Sequence, residues 1–481
     1  MQLSIEQQLA FDKYTKGQNI FITGPGGCGK SELIRHIYKD ALLREKNIHV
    51  TALTGCAAVL LNCNAKTIHS WAGVGIANKS MEYLIKKVKS NKFAKKMWKT
   101  TDILIIDEIS MLSLKLFDIL NTIGKNLRGN NRHFGGIQLI FSGDFFQLPP
   151  VGDKDNIDTQ RFCFESDDWF QVFPLHNHVK LNKIFRQTDC KYTDILNQIR
   201  NGVIKQKTCT ILQNCVGRKI PDNTVSEPTK LFPTRTKVDY INSNKMGLLD
   251  GSLYKYTVKN VTDLDVNEKN EKKKMDFTQE DIAHELDYLR NSLMCDKEII
   301  LKIGAQVMCI INVQDDKNDK TIRLCNGSQG IVSGFCKITG YPIVKFNNGI
   351  EEVMRRHVWS SEKIPGIGIS QVPLILAWAL TIHKSQGSTL DMAEIDVGNN
   401  IFECGQTYVA LSRVKSLDGL YLTSFDVNKI RVNKKVKDFY EKLTLLEEEV
   451  KKVEENNECG KISIFCTSNS FNNILQLNTL T

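Results

Sequence analysis

Asn19-Ile20-Phe21-Ile22-Thr23 runs directly into Gly24-Pro25-Gly26-Gly27-Cys28-Gly29-Lys30-Ser31, and this junction decides the fold. The apolar residues before Gly24 read as a buried strand, and the residues that follow Lys30 read as a helix. The glycines therefore occupy a loop between a strand and a helix N-terminus. Small residues there let backbone N–H groups close on a β-phosphate, and the helix end adds partial positive charge. Lys30 is suited to neutralising the β- and γ-phosphates, and the Ser31 hydroxyl to ligating Mg²⁺. A glycine-rich turn without a ligand would match the letters but not the strand–loop–helix context.

Moving outward, His49–Thr54, Asp102–Asp107 and Gln138–Gly143 repeat the pattern of short apolar runs ending in small or acidic residues. Such runs, alternating with helical stretches, predict a doubly wound α/β sheet whose ligands bind at the carboxyl ends of the strands. Lys230–Pro233, Leu376–Ile382, Glu394–Val397 and Leu420–Ser424 predict a second α/β set. The stretch between has another texture. It opens with the charged segment Glu268–Met275 and a predicted helix, Gln279–Leu293. The short β-like segments Ala305–Asn312, Gly330–Phe335 and Pro342–Phe346 follow, with turns at Asn326-Gly327 and Asn348-Gly349, and together they read as a small β-barrel-like insertion. The expected organisation is a first α/β domain over 1–170 with an insertion at about 72–100, and a second over 171–250 and 366–435. A β-rich insertion spans 251–365, and 436–481 holds a charged helix, Val436–Glu455, and a polar tail after Asn456.

A chain of 481 residues with 41% hydrophobic and 25% charged residues has the composition of an ordinary globular protein. Its net charge of +10 fits a polyanionic partner but is modest for this length, so the placement of the lysines matters more than the total. The fourteen cysteines form no Cys-x-x-Cys pair and have no histidine at finger spacing, which argues against structural zinc and for reduced thiols. No apolar run reaches the ~18 residues of a membrane span. No signal peptide is recognisable, and Glu6 and Asp12 without an early arginine argue against a mitochondrial presequence. The expectation is a soluble intracellular protein without long targeting extensions.

Ile103–Ile106 ends in Asp107-Glu108. Paired acids closing a hydrophobic strand suit a cation and a water: Asp107 to hold Mg²⁺, and Glu108 to orient and deprotonate the attacking water. Alone such a pair is often a solvated turn; downstream of a phosphate loop it predicts hydrolysis of ATP or GTP.

Further blocks specify the class. In order along the chain they are Leu3-Ser4-Ile5-Glu6-Gln7, the phosphate loop, and Thr54-Gly55-Cys56-Ala57-Ala58 with Thr67-Ile68-His69-Ser70. Asp107-Glu108-Ile109-Ser110-Met111 and Gly143-Asp144-Phe145-Phe146-Gln147-Leu148-Pro149-Pro150-Val151 follow. The last pairs Thr381-Ile382-His383-Lys384-Ser385-Gln386-Gly387 with Tyr408-Val409-Ala410-Leu411-Ser412-Arg413. Over residues 1 to 430 the chain resembles the Pif-type (petite integration frequency) helicases of superfamily 1, relatives of RecD and Dda.

The resemblance implies two RecA-like P-loop NTPase domains with parallel sheets, a wedge insertion and an SH3-like β-barrel insertion. It also implies an ATP-dependent DNA helicase that moves 5′→3′ on single strands, opens duplex forks and serves replication, repair or recombination. At matching positions Gln7 would read the adenine edge, with Gly24 to Ser31 and Gly387 lining the nucleotide. Gln147 would contact the γ-phosphate. Arg186, in Phe185-Arg186-Gln187, and Arg413 would be arginine fingers supplied in cis by the second α/β domain. Thr54, His69 and Ser70 in the first domain, and Thr381, His383, Lys384 and Ser385 in the second, would contact the strand; short donors of this kind suit phosphate and sugar.

Between the first strand-contact block and the acid pair lie Lys86, Lys87, Lys89, Lys92, Lys95, Lys96 and Lys99, beside Trp98. They read either as a wedge that meets the fork, as the resemblance implies, or as a solvated helix face. The same motor motifs serve a translocase that strips proteins from single strands. A binding module with vestigial turnover is disfavoured because Lys30, Asp107, Glu108, Gln147 and Arg413 are all present. RNA or RNA–DNA hybrids remain open as substrates, since nothing in the residues reads a 2′-hydroxyl; the expected working form is a monomer.

Overall fold

The computed structural model describes residues 3–445 apart from 76, 78, 154, 188, 222–223, 263, 265–276, 293–294, 315–321, 362–363 and 399–400. The charged stretch Glu268–Met275 and the polar tail lie outside the described residues.

The first lobe runs α1 (Ile5–Thr15), β1 (Ile20–Thr23), α2 (Lys30–Leu43), β2 (Ile48–Ala52), α3 (Gly55–Leu61), β3 (Lys66–Thr67) and α4 (Ile68–Ala72). It continues with α5 (Met81–Ser90), α6 (Lys92–Thr100), β4 (Ile103–Asp107), α7 (Leu114–Arg128), β5 (Gln138–Gly143), α8 (Trp169–Val172) and β6 (His178–Lys180). Its six strands form one parallel sheet in the order β3-β2-β4-β5-β1-β6. Every residue of β1 and β4 is buried, as expected of strands covered by helices on both faces. The carboxyl ends of β1, β4 and β5 lie side by side, so the phosphate loop, the acid pair and the Gly143–Val151 block emerge together. The sheet carries the first lobe past residue 170: β6 pairs with β1 through Phe21↔His178 and Ile22↔Val179. The insertion within this lobe is a helical hairpin. Asn91 ends α5 and begins α6, where its side chain accepts from the N–H groups of Phe93 and Ala94, an N-cap that satisfies the free amides of the first turn. Trp98 anchors the hairpin: it is fully buried, lies 4.6 Å from the Trp71 ring and donates its indole N–H to Ala72 O.

The second lobe contains α9 (Cys190–Asn201), α10 (Gln206–Gln213), β7 (Thr229–Phe232) and α11 (Arg235–Gly247) before the β-rich insertion. That insertion comprises β8 (Tyr254–Thr257), β9 (Lys259–Val261), α12 (Gln279–Ser292), β10 (Glu298–Leu301), β11 (Gln306–Cys309), β12 (Val313–Gln314), β13 (Ile322–Leu324), β14 (Gln329–Phe335), β15 (Pro342–Phe346), β16 (Glu351–Val353), β17 (His357–Ser360), β18 (Gly368–Gln371) and β19 (Leu374–Leu376). The lobe then closes with β20 (Ala379–Thr381), β21 (Ala393–Val397), α13 (Gln406–Leu411) and β22 (Leu420–Phe425). Its parallel sheet has the order β20-β7-β21-β22. The insertion is antiparallel, built around β16-β15-β14-β11-β19 with a core that includes Val307, Val332, Val344 and Phe346. It reaches beyond residue 365, through β18 and β19.

The apolar run Leu376–Ile382, expected to be one strand, is divided between two sheets. Leu376 pairs with Val307 in the insertion, whereas Ala379 pairs with Lys230 in the second lobe. Only Ala377 and Trp378 join them, both buried. The Ala377 N–H donates to Gln306 O, its carbonyl accepts from Thr229 Oγ1, and the Trp378 carbonyl accepts from the Lys230 N–H.

Residues 434–445 form a helix, a separate unit from 1–433; the remainder of the helix expected to reach Glu455 lies outside the described residues.

The two lobes are tied by a buried ion pair. Asp144, just past β5, accepts from Arg200 of α9 through two bonds, Nε at 2.9 Å and Nη2 at 2.7 Å. The Asp144 side chain is fully buried and that of Arg200 is 8% exposed, and the guanidinium also lies 4.3 Å from the Phe146 ring centroid. Leu148 extends the junction by packing in the second-lobe core with Tyr192 and Ile195. Removing one partner of a buried pair strands the other charge and typically costs about 3–5 kcal/mol. Arg200→Met or Asp144→Asn alone is therefore expected to lower the unfolding free energy by about that amount in urea titrations, and the double substitution to cost less than the two single effects added together.

Candidate nucleotide and nucleic-acid site

The loop after β1 folds around its own lysine. Lys30 begins α2, and its Nζ donates to Gly24 O at 2.6 Å and Pro25 O at 3.0 Å. Gly27 and Gly29 have φ of +83° and +85°, and a side chain on either would collide with a neighbour. A Cβ at Gly27 would lie 2.5 Å from Arg186 Cβ, and one at Gly29 would lie 2.7 Å from Gln7 Nε2. Conformation favours glycine at both positions, and at Gly27 the space demands it as well. Pro25 and Cys28 are buried in the same turn, while Ser31 is half-buried on the first turn of α2.

Gln7 reaches the loop from α1. Its side chain completes a capping box with Ser4, accepting from the Ser4 N–H at 2.9 Å, and its Nε2 donates to Gly29 O at 3.2 Å. Across the loop, Asp107 ends β4 and Glu108 takes a left-handed φ of +55°, strained for a residue with a side chain. Both carboxyls are pushed up by burial. Glu108 rises to about 7, through burial first and then the adjacent Asp107 charge, while Lys30 and Arg413 pull it back. Its Oε2 is buried without a hydrogen-bond partner, as suits a carboxylate whose partner is a bound water or ligand. Gln147 is 5% exposed, and its N–H donates to Asp144 O.

The second lobe closes the opposite side. Arg413 follows α13 and is 2% exposed; its Nε donates to Val409 O and its Nη2 to Ser412 Oγ. Arg186 lies on the segment leaving β6, so it comes from the stretch joining the lobes and not from the body of the second. It donates from Nη1 to Ser412 O. Both guanidiniums converge on the phosphate loop: a Cβ at Gly26 would lie 3.4 Å from Arg413 Nη2 and 3.6 Å from Arg186 Nη1. Burial, and then the like charge of Arg186, pull the Arg413 pKa down to about 9. Two cations packed against oxygens that carry no full charge form a site that favours an anion.

Several groups of this pocket carry no signal in sequence alone. Tyr408 is buried, and its hydroxyl accepts from the Gly26 N–H at 2.8 Å. Gln187 donates from Nε2 to both Ser412 O and Val414 O. Phe185 donates its N–H to Gly27 O at 2.8 Å. Tyr408 and Phe185 sit inside blocks whose arginines draw the attention; a hydroxyl or ring one helical turn or one residue away becomes visible only when the lobes meet. Gly387 packs closely on α3: a Cβ there would lie 2.3 Å from Leu60 Cδ1.

The residues expected to touch a strand divide into surface and interior. Thr54 caps α3, its Oγ1 accepting from the Ala57 N–H. His69 is half-buried and Ser70 exposed on α4. Thr381 ends β20 and accepts from the Lys384 N–H, and Lys384 lies 3.4 Å from Asp296. Burial lowers the pKa of both His69 and His383, which favours the neutral ring with one donor and one acceptor. Ser385 corrects the expectation: it is fully buried and its hydroxyl donates to Ile382 O, because the turn after β20 folds it inward. All seven lysines of the α5–α6 hairpin are exposed. Phe93 of α6 stacks on Phe277 before α12, rings 5.2 Å apart and 12° from parallel, and the Tyr288 hydroxyl of α12 accepts from the Thr67 N–H. Among the described residues no helix is long and apolar enough to cross a membrane, and no cluster of three or more His, Cys, Asp or Glu could hold a metal ion.

Comparison with known proteins gives a consistent family. The PIF1-like helicase profile matches residues 2–210. The ATP-dependent DNA helicase RRM3 of Saccharomyces cerevisiae is 33% identical over 92% of this chain and 68% of its own length. The ATP-dependent DNA helicase PIF1 of Homo sapiens is 34% identical over 91% of this chain and 63% of its own length. This chain thus spans less than two thirds of the human protein. The crystal structure of the Candida albicans Pif1 helicase aligns with a TM-score of 0.69 and 37% identity, covering 92% of this chain and all of that one. That of the Bacteroides sp. Pif1 with ADP-AlF4 aligns at 0.72, with 26% identity, over 92% of this chain and 97% of that one. The fold is accordingly that of two RecA-like α/β lobes. With a relative a third identical along two thirds of its length, and with matching architecture, the chain belongs to the PIF1-like helicase family.

Proposed function

We propose that this chain hydrolyses ATP to move along single-stranded DNA, 5′→3′, and to unwind the duplex ahead of it. The observation that carries the reading is the approach of Arg413 and Arg186 to Gly26 of the phosphate loop. A triphosphate held there is clasped from both lobes, and only the closed arrangement satisfies its γ-phosphate from both sides. Hydrolysis removes the bridge, and the lobes are free to part. The relatives' names, ATP-dependent DNA helicase, support the substrate, as do solved Bacteroides Pif1 structures bound to single-stranded DNA at 27% identity. Because both lobes that close the pocket belong to one chain, the working form in this reading is the monomer.

In this reading Lys30 neutralises the β- and γ-phosphates and Gln7 reads the base edge. Gln147 reports on the γ-phosphate, and Glu108 accepts the proton of the attacking water; a pKa near 7 suits a base working at neutral pH. Asp107 and Ser31 are the residues that would hold Mg²⁺. The fit rests on the chemistry of the donors, a buried carboxylate and a hydroxyl close to Lys30, with Glu108 Oε2 beside them lacking a protein partner. Mg²⁺ there would neutralise charge on the transferred phosphoryl oxygens. Thr54, His69, Ser70, Thr381, His383 and Lys384 are the strand contacts, and the lysine hairpin is the wedge.

Partial duplexes carrying either a 5′ or a 3′ single-stranded tail test the reading at once: only the 5′-tailed substrate should be opened, and failure to open either would overturn it. Arg413→Ala should retain nucleotide binding yet reduce DNA-stimulated turnover by about 10³-fold or more, the range of arginine fingers. Undiminished turnover would remove Arg413 from the site. Reversing Lys92, Lys95 and Lys96 to Glu should weaken DNA binding and flatten the plot of log affinity against log salt by roughly one unit for each phosphate no longer neutralised. An unchanged slope would return the hairpin to a solvated face.

A further inference from the structure

Gln187 has no role in the chemistry above, although it follows Arg186 directly and is only 5% exposed. Its Nε2 donates to Ser412 O and to Val414 O, both at 3.2 Å. These are the carbonyls immediately before and after Arg413. The Arg413 carbonyl between them accepts from the Leu390 N–H at 2.9 Å, so three consecutive carbonyls of this turn are engaged. Ser412 O also accepts from Arg186 Nη1 at 3.3 Å, which makes it the point where the two arginine-bearing segments meet. Only the NH2 end of an amide can bond two carbonyls, so the orientation of Gln187 is dictated by its partners. Its Oε1 is left buried without a hydrogen-bond partner, 3.4 Å from where a Cβ would stand at Gly27 of the phosphate loop. An unpaired buried amide oxygen is unfavourable; it persists here because the two carbonyls claim the other end.

We propose that Gln187 is a positioning residue for Arg413, holding the backbone of the second-lobe turn in register with Arg186 so that both guanidiniums meet one phosphoryl group. This rests on the reading of the two arginines as fingers. A finger stabilises charge that develops in the transition state, and a misplacement of about 1 Å is enough to lose much of that effect. The Arg413 side chain bonds within its own turn, to Val409 O and Ser412 Oγ. Its place relative to the phosphate loop is therefore the place of that turn. Gln187 fixes the turn from the loop side, on a segment that is itself bonded to the loop by the Phe185 N–H at Gly27 O. The amide thus acts through Arg413 and through the common acceptor Ser412 O.

The test is a double-mutant cycle on the full chain, with ATP turnover measured at saturating single-stranded DNA. Binding of ADP, and of ADP with aluminium fluoride as a mimic of the transferring phosphoryl group, is measured alongside, under conditions where urea titration shows each variant folded. Gln187→Met keeps the length and removes the donor. It should lower kcat by about tenfold, the scale of two lost hydrogen bonds. The aluminium fluoride complex should weaken by a similar factor while ADP affinity stays within about twofold. Gln187→Glu, which offers the two carbonyls only acceptors, should lose at least as much. Added to Arg413→Ala, Gln187→Met should lower kcat by no more than about twofold, because a misplaced finger and an absent one are the same loss. Undiminished kcat in both Gln187 variants, equal weakening of ADP and its aluminium fluoride complex, or the full tenfold loss repeated on the Arg413→Ala background would overturn the proposal. Should Arg413→Ala itself turn over at the unaltered rate, the finger reading would fall, and the positioning role with it.

Discussion

Arg186 and Arg413 stand beside one another at Gly26, and the oxygens that accept their hydrogen bonds, Ser412 O, Val409 O and Ser412 Oγ, carry no full charge. Keeping two like charges together away from water is unfavourable, which is why the Arg413 pKa falls. The arrangement persists because its surroundings over-determine it. Tyr408 bonds to Gly26, Gln187 bonds to two carbonyls around Arg413, and Asp144 grips Arg200 at the junction of the lobes. The Glu108 carboxylate offsets part of this repulsion, and in the proposed reading a polyanion held at Gly26 would offset more of it. The left-handed Glu108, with its unpartnered oxygen, is a second element held ready at some local expense.

Much of this was legible in the residues, for identifiable reasons. The phosphate loop could be read because its glycines are dictated by positive φ and by close approach, and such constraints leave few alternatives in sequence. The acid pair could be read because carboxylates seldom close an all-apolar strand. What escaped was whatever depended on partners distant in sequence. His178–Lys180 is only a three-residue strand and acquires its identity from β1, so the first lobe extends further than its periodicity suggests. Leu376–Ile382 is apolar throughout, and nothing within it marks Ala377 and Trp378 as the change of sheet. Ser385 belongs to a block of short donors, but the turn that buries it is a matter of backbone path.

The lysine hairpin illustrates the same difference. Its charge was evident from composition, but its anchoring was not. Trp98 pins the hairpin to Ala72 from within, Phe93 meets Phe277 from without, and Thr67 of β3 bonds to Tyr288 of α12. A buried tryptophan at its root and an aromatic contact at its side hold this basic hairpin more firmly than an isolated pair of exposed helices would be held.

The two-residue passage between β19 and β20 has a mechanical meaning. Ala377 and Trp378 can span at most about 7 Å of extended chain, and their backbone groups are bonded to Gln306 on one side and to Thr229 and Lys230 on the other. A join so short and so closely bonded leaves little slack between the antiparallel insertion and the end of β20, where the turn bearing His383 and Lys384 begins.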